Sequence, residues 1–223
     1  MDYTDDKISG STLAAQITDR IRDDIINRRI KPGSRITARE IADKYGVSSM
    51  PVREAFNMLC GENLLELNPY KGAVVIAVTP ELVAQLNDLQ CALESLLVEL
   101  CMKKGYSEEL LAELEGINRE MAELKDDEQS LREHRLNLNV RFHKLEYSPC
   151  KDHMAYALFE RNLKQLAAIR RRYELDTERA MQTLQEHQQI IQALRNGDVL
   201  SAVTVTRLHT LNSKRYALSE NYE

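Results

Sequence analysis

The sequence predicts a mainly α protein, in which an N-terminal winged helix-turn-helix is followed by an all-α antiparallel helical bundle. Two short helical patterns joined by a tight turn fill residues 37–59, and two β-prone runs follow them. Beyond Thr79-Pro80 the chain has one further proline, Pro149, and β-branched runs almost disappear. Helical patterns of this length, joined by short loops, are typical of a bundle.

Residues 37–59, TAREIADKYGVSSMPVREAFNML, predict two short helices around a tight turn. Gly46 stands where the first helix must stop, and Ser48 is a natural N-cap for the second. Pro51 falls in the first turn of the second helix, where a missing N–H costs little. The residues expected to face inward are Ile41, Ala42, Val52, Ala55, Phe56 and Leu59.

The flanks of this segment extend the pattern to a winged helix. Apolar residues at every fourth position predict an amphipathic helix over 13–28. The β-prone runs at 64–68 and 74–78 flank a hairpin tip at 69–72. A helix-turn-helix presents the N-terminal end of its second helix to the DNA major groove, so this end is the candidate DNA-reading surface. It carries Ser48, Ser49, Met50 and Arg53.

Three motifs together resemble the DNA-binding domain of GntR-type transcription regulators. They are IKPGSRI, TAREIADKYGVSSMPVREAFNML and NPYKGAVV. The resemblance implies that Arg39 and Arg53 contact guanines or phosphates, and that Lys71 and the backbone near Gly72 follow the DNA along the wing. The family usually has another Arg where this chain has Ser49, and a hydroxyl cannot make the bidentate contact of Arg with guanine. Either the operator departs from the family's usual palindrome, or the two arginines carry more of the readout.

Two of these residues have a plainer alternative. Arg53 could form a salt bridge with Glu54 or Glu40, and Lys71 could be a solvated surface lysine.

Composition is consistent with a DNA-binding domain followed by an acidic domain. The 223 residues are 43% hydrophobic and 29% charged, with a net charge of −5. Residues 11–78 hold ten Lys and Arg against eight Asp and Glu, so positive charge is local to the winged helix. We expect a flexible N-terminus at 1–10, a DNA-binding domain at 11–78 and an effector and dimerisation domain at 79–223. No apolar run is long enough to span a membrane and the first ten residues do not form a signal peptide, so a cytoplasmic location is expected.

Six helices are predicted in the second domain. They cover residues 80–104, 107–125, 130–147, 153–173, 178–195 and 199–218.

Three histidines and an asparagine in these helices form a candidate metal site. Asn139 precedes His143 by one helical turn, so their side chains share a face, while His187 and His209 lie on two other predicted helices. Sites in bundles are built from facing helices, and neutral imidazole suits Zn, Ni, Cu or Fe. Buried histidines that simply hydrogen-bond to neighbours, or that bind an effector directly, are the alternatives.

The second domain resembles the FCD effector domain of the FadR subfamily of GntR regulators. The residues that carry this resemblance are NVRFH, EHQQIIQALRNGD and the C-terminal RLH. The resemblance implies a divalent metal such as Zn or Ni, held by His143, His187 and His209, with Asn139 where an Asp is common. Neutral Asn is a poorer ligand than a carboxylate, and a bound anion could supply the missing charge.

An organic acid is one class of effector that the resemblance implies. The family often has an Arg for this carboxylate where the chain has Gln90, so Arg170 or Arg172 could compensate. Surface salt bridges are the alternative role of these arginines.

These observations predict a homodimeric transcription regulator that binds a palindromic operator in double-stranded DNA. A small-molecule effector is expected to control this binding, and repression is the commoner effect on transcription in such families. No membrane partner is expected. A metalloenzyme fused to a DNA-binding module is disfavoured, because no general base lies at a fixed spacing from the histidines; Glu186 is expected to point elsewhere on its helix. An architectural DNA-binding protein without an effector is the third alternative.

Overall fold

The computed structural model describes residues 12–62, 64–69, 71–124, 129–171 and 176–219. The chain divides into two compact units, Met1–Ala77 and Val78–Glu223. The first unit is a winged helix and the second is a helical bundle, so the predicted fold class is confirmed.

The first unit places three helices against a small sheet. In chain order its elements are α1 Leu13–Ile26, β1 Arg35–Ile36, α2 Ala38–Tyr45, α3 Ser49–Gly61, β2 Leu65–Asn68 and β3 Gly72–Val75. All strands are antiparallel and β3 is central, between β1 and β2. The predicted inward residues of α2 and α3 are buried in a core shared with Ile17, Ile21 and Ile25 of α1.

Local caps explain where α2 begins and ends. Thr37 and Glu40 form a reciprocal capping box, in which the Thr37 hydroxyl accepts from the Glu40 N–H and Glu40 accepts from the Thr37 N–H. Gly46 ends α2 with a φ of 67°, in the left-handed region that glycine adopts without strain. Ser48 occupies the N-cap position of α3, as predicted, but its side chain makes no capping hydrogen bond.

The wing differs from prediction in its second strand. That strand begins at Gly72 instead of residue 74 and ends at Val75, because Asn68 pairs with Gly72 directly across the tip. Strand β1 was not predicted, and its two residues are extended because they pair with Val74 and Ala73. Gly72 has a φ of +88°, and a Cβ there would lie 2.3 Å from the Ile36 carbonyl oxygen, so the contact between β1 and β3 requires glycine.

The second unit contains the six predicted helices, in chain order. They are α4 Pro80–Lys104, α5 Glu108–Glu123, α6 Gln129–Glu146, α7 Met154–Arg170, α8 Thr177–Arg195 and α9 Val199–Ser219. A short 3-10 helix at Ser148–Cys150, which was not predicted, joins α6 to α7. Helix α7 ends three residues before the predicted bound of 173.

The bundle core is contributed by α4 to α9. Its largest fully buried side chains include Phe142 on α6, Phe159 on α7 and Leu97 on α4. Helix α4 packs against both α7 and α9, and α8 packs against α9. In the part of the chain that is described, no helix is long and apolar enough to cross a membrane.

Candidate functional site

Helices α6, α8 and α9 bring the three predicted histidines together in the interior of the bundle. The exposed fractions of His143, His187 and His209 are 2%, 0% and 3%. One nitrogen from each ring lies within 4.8 Å of the other two. Three imidazole nitrogens at this spacing could hold one metal ion.

The ring of His209 is oriented by Glu186, whose carboxylate is also paired with Arg179. Its Nδ1 lies 2.7 Å from Oε2 of Glu186 on α8. Both Glu186 oxygens also accept from Arg179, each at 2.9 Å. Burial alone would raise the pKa of Glu186, but the hydrogen bonds from His209 and Arg179 outweigh it and lower that pKa to about 2. The ionised carboxylate therefore fixes the proton of His209 on Nδ1 and leaves Nε2 as an acceptor.

Glu186 points away from His187 on α8, as expected, but it reaches His209, a contact that the sequence did not indicate. Glu186 and His187 are consecutive on α8, yet both serve the cluster, because Glu186 faces α9 and His187 lies against Phe142 of α6. Two helices therefore flank the same segment of α8. The glutamate contacts the outer nitrogen of His209, which is the position of a supporting carboxylate rather than of a general base.

His143 is the second oriented histidine. Its Nδ1 lies 3.1 Å from Oε2 of Glu146, and its Nε2 lies 3.2 Å from Nε2 of His209. Burial raises the pKa of Glu146 to about 8. The two facing Nε2 atoms thus require either one proton between them or a cation that both can bind.

His187 has no hydrogen-bond partner in the described structure. Both of its ring nitrogens are buried and unpaired, and its ring stacks on Phe142 at 3.9 Å between centroids. A buried polar nitrogen without a partner costs free energy of about 1–3 kcal/mol. Among the described residues, no contact accounts for these two nitrogens.

The protonation state of the three histidines favours metal binding. Burial lowers the pKa of all three rings, most strongly for His187. Neutral imidazole is the form that ligates metals. Asn139, the predicted fourth ligand, is buried one turn before His143 on the same helix.

The predicted effector residues are placed differently from one another. Arg170 is half-buried at the end of α7, forms no ion pair with any described residue, and its charge lowers the pKa of His143 after the larger effect of burial. Gln90 is buried and already engaged, since its Nε2 donates to Glu94 at 2.8 Å and its Oε1 accepts from Asn162 at 2.7 Å. Arg172 lies outside the described residues.

Several residues around the histidines were not identified from sequence. Glu146 lies three residues after His143, a helical spacing that could have indicated the contact. Arg179 lies about two helical turns before its partner Glu186 on α8, a spacing that could also have indicated the contact. The contact between Glu94 and Thr210 gave no local signal, because it is set by the packing of α9 against α4.

The predicted DNA-reading residues all lie on one exposed end of the winged helix. Arg39, Ser48, Ser49, Met50 and Arg53 are exposed, with Met50 at 71%. Among the described residues neither arginine forms an ion pair. Glu40, one of the two alternative partners of Arg53, is instead occupied by the Thr37 cap.

The predicted wing residues lie at the hairpin tip. The Lys71 side chain is exposed, and its backbone N–H donates to the Asn68 carbonyl at 3.0 Å, which closes the turn into Gly72.

An exposed recognition helix, a wing and a separate helical unit with a buried polar cluster define a helix-turn-helix regulator. Residues 13–75 match the family described as bacterial regulatory proteins of the gntR family, and residues 85–212 match the FCD domain. The chain therefore belongs to the GntR family of DNA-binding transcription regulators and carries an FCD domain. Proteins of this family are regulators rather than enzymes.

Individual relatives share these two parts to different extents. The chain is 30% identical over 133 residues to the HTH-type transcriptional regulator YdhC of Bacillus subtilis (strain 168), covering 58% of this chain and 57% of that protein. It is 25% identical over 204 residues to the HTH-type transcriptional repressor GlaR of Escherichia coli (strain K12), covering 86% and 89%. The chain spans only about half the length of several curated relatives that it matches.

The fold also occurs in solved structures. The structure of E. coli McbR/YncC matches with a TM-score of 0.67 at 19% identity, over 92% of this chain and 97% of that one.

Proposed function

We propose that this protein is a homodimeric, sequence-specific repressor of the FadR subfamily, whose operator affinity is set by a small anionic effector at a divalent metal centre. Residues 11–78 would bind DNA in the cytoplasm, and residues 79–223 would bind the effector and dimerise. The single observation that carries the metal part is His187, which is fully buried and has two ring nitrogens without a partner among the described residues.

The DNA-binding step rests on the exposed end of the winged helix. Arg39 and Arg53 lack internal ion-pair partners among the described residues, so their guanidinium groups are available for guanine edges in the major groove. Ser48, Ser49 and Met50 lie between them, and Lys71 with the backbone at Gly72 would contact phosphates along the wing. A palindromic operator would be read by one winged helix per half-site.

Arg53→Ala and Lys71→Ala separate base readout from phosphate contact. Arg53→Ala should weaken operator binding by about 1–3 kcal/mol and relax its sequence preference, whereas Lys71→Ala should weaken operator and random DNA alike and lower the salt slope by about one. Fluorescence anisotropy against salt, on both DNAs, measures these effects. Equal losses on both DNAs for Arg53→Ala would refute its readout role.

The metal step rests on the fit of the three histidines to a Zn or Ni ion. His143, His187 and His209 would each supply one neutral nitrogen, and Asn139 is positioned on the same face of α6 to offer an amide oxygen. A metal held by these residues would take one of the two His187 nitrogens that lack a partner among the described residues. When bound it supplies a Lewis-acidic position for an oxygen of the effector.

The effector step rests on Arg170. A half-buried guanidinium without an ion-pair partner among the described residues, and electrostatically coupled to His143, favours an anionic ligand. An organic acid whose carboxylate binds both the metal and Arg170 fits this arrangement. A coupling of about 1–3 kcal/mol between effector and DNA would change operator affinity roughly 5–150-fold.

Dimerisation rests on exposed leucines of the bundle. Leu89 and Leu96, seven residues apart on α4, are 49% and 43% exposed, and Leu158 on the neighbouring α7 is 50% exposed. A second copy of the chain is the occupant that a two-fold operator requires. Sedimentation equilibrium should give a dimer for the parent and a weakened one for Leu96→Glu.

One experiment tests the proposal as a whole. Chelator-treated protein is melted with a panel of divalent metals, beside His143→Ala, and operator binding is then measured with organic acids on the metal-loaded protein. Metal at a hundred times its dissociation constant should add about 2.7 kcal/mol of stability to the parent alone. Absence of stabilisation by every metal would reject the metal centre, and operator affinity unaffected by every acid would reject the anionic effector.

A further inference from the structure

Met50 is a large apolar side chain that is exposed at the DNA-reading end of the winged helix. It is the second residue of α3, and its exposed fraction is 71%. Among the described residues of the first unit, no other large apolar side chain is as exposed, and the next is Leu13 at 52%. Met50 belongs neither to the core of this unit nor to the partly buried side chains around that core.

Packing within α3 does not account for an apolar residue at this position. Val47 packs against the core just before α3, and Val52 and Ala55 are buried in it on the inner face of the helix. Met50 lies three residues before Arg53, so the two side chains share the outer face of α3. An apolar side chain therefore lies beside the arginine that is expected to read guanine, in the part of the helix that enters the major groove.

The chemistry of Met50 restricts what it can recognise in that groove. Its thioether has no N–H or O–H to donate and its sulfur is a weak acceptor, so it cannot form the hydrogen bonds by which arginine or asparagine reads a base edge. The apolar group that unmodified DNA presents in the major groove is the C5 methyl of thymine. Contact with this methyl removes apolar surface of both partners from water, whereas a polar base edge would lose hydrogen bonds to water without replacement.

We infer that Met50 reads a thymine in each operator half-site by contact with its C5 methyl group. The inference rests on the DNA-binding step proposed above, to which it adds the base that this position selects. Because α3 rises about 4.5 Å between Met50 and Arg53, and stacked base pairs are about 3.4 Å apart, the thymine is expected within about two base pairs of the one that Arg53 contacts. Part of the readout is then an apolar contact, in a chain that has Ser49 where the family usually has an arginine.

Replacement of thymidine by deoxyuridine tests this inference, because it removes the C5 methyl and keeps every hydrogen-bonding group of the base. Operators are first selected from random double-stranded DNA with the full chain. Each thymine of the selected half-site is then replaced in turn, and the dissociation constant is measured by fluorescence anisotropy for the parent, Met50→Ala and Met50→Leu. The matched control is Met58→Ala, since Met58 is an exposed methionine of α3 whose sulfur accepts from the Thr18 hydroxyl on α1.

We expect loss of the methyl at one thymine position to weaken binding of the parent about fourfold for each half-site, the usual value of burying one methyl-sized group. Met50→Ala should bind thymidine and deoxyuridine operators equally, because alanine is too short to reach the methyl. Met50→Leu should keep most of the discrimination, because leucine is apolar and of similar size. Met58→Ala should behave as the parent does.

The outcomes separate this inference from the proposed function. A loss on deoxyuridine DNA that is as large for Met50→Ala as for the parent would overturn the inference, because another residue would then contact the methyl. Selected operators that lack such a thymine, or in which every thymine is replaced without loss, would also overturn it, while sequence-specific binding stands. If the parent enriches no sequence at all, the inference and the sequence-specific repressor are both rejected.

Discussion

Replacing His187 with leucine should stabilise the metal-free protein and remove its response to metal. The substitution keeps a side chain of similar size at a site that is 0% exposed, and it deletes two buried nitrogens that have no partner in the described structure. Each unpaired polar group costs about 1–3 kcal/mol, so their removal is worth about 2–6 kcal/mol before any loss of packing.

Two losses reduce this gain. The stacking of His187 on Phe142, with planes 4° apart, is worth about 0.5–1.5 kcal/mol. Repacking a volume-conserving core substitution usually costs less than about 1.5 kcal/mol. These terms combine to between a loss of about 1 and a gain of about 5 kcal/mol, with a central gain of about 2 kcal/mol, which raises the melting temperature (Tm) by roughly 4–8 °C for a unit of this size.

Saturating metal should make the parent more stable than His187→Leu, the reverse of the order expected without metal. At a hundred times its dissociation constant, zinc adds about 2.7 kcal/mol to the parent and nothing to His187→Leu. Differential scanning calorimetry with chelator and with zinc measures both Tm values. His134→Leu is the control, because His134 is a surface histidine with a side chain that is 47% exposed. A lower metal-free Tm for His187→Leu would show that its nitrogens are satisfied, and an equal zinc response in both proteins would place the metal elsewhere.

Two further predictions concern the winged helix. Gly72→Ala should destabilise it by at least about 2 kcal/mol, because the new Cβ would meet the Ile36 carbonyl oxygen and the φ is +88°. Gly33→Ala shares the positive φ but meets nothing within 4 Å, so it should cost only about 1–2 kcal/mol in urea unfolding, and equal losses would contradict the clash. Burial tends to raise the pKa of Asp24, but hydrogen bonds from Lys44, Tyr45 and Arg29 outweigh it and hold that pKa below its usual range. The stability contributed by Asp24 is therefore full above the unfolded pKa of about 3.9 and is lost as the pH falls through the lower folded value. Asp24→Asn should cost about 1–3 kcal/mol at pH 7 and flatten this acid limb in a Tm series, and an unchanged limb would assign it to other carboxylates.

The helices were predictable because their signals are local. Thr79 and Ser107 cap α4 and α5 through their own hydroxyls, and Gly46 and Gly105 end α2 and α4. The sheet was predicted less well, because β1 is two residues long and depends on pairing with β3 across the helix-turn-helix. The register of β3 depends in turn on the close approach of Gly72 to Ile36, which no local pattern encodes.

The clustering of the histidines was predictable, but the residues that support them were not. The meeting of His143, His187 and His209 was expected from the family resemblance, and the structure places them together. The contact of Glu186 with His209 was not expected, because it depends on where α9 packs against α8.

Ser48 leaves the recognition helix uncapped. The N-cap side chain accepts a hydrogen bond from a backbone N–H of the first turn in α1, α2, α4, α5, α7 and α8. In α3 it does not. The N–H groups in the first turn of α3 therefore have no acceptor in the N-cap side chain. A DNA phosphate is the acceptor that the proposed function supplies. Ser49 and Met50 are exposed, so the first turn of α3 is open to solvent, and under the proposed function a DNA phosphate would take the place of water at the start of the helix that reads the operator.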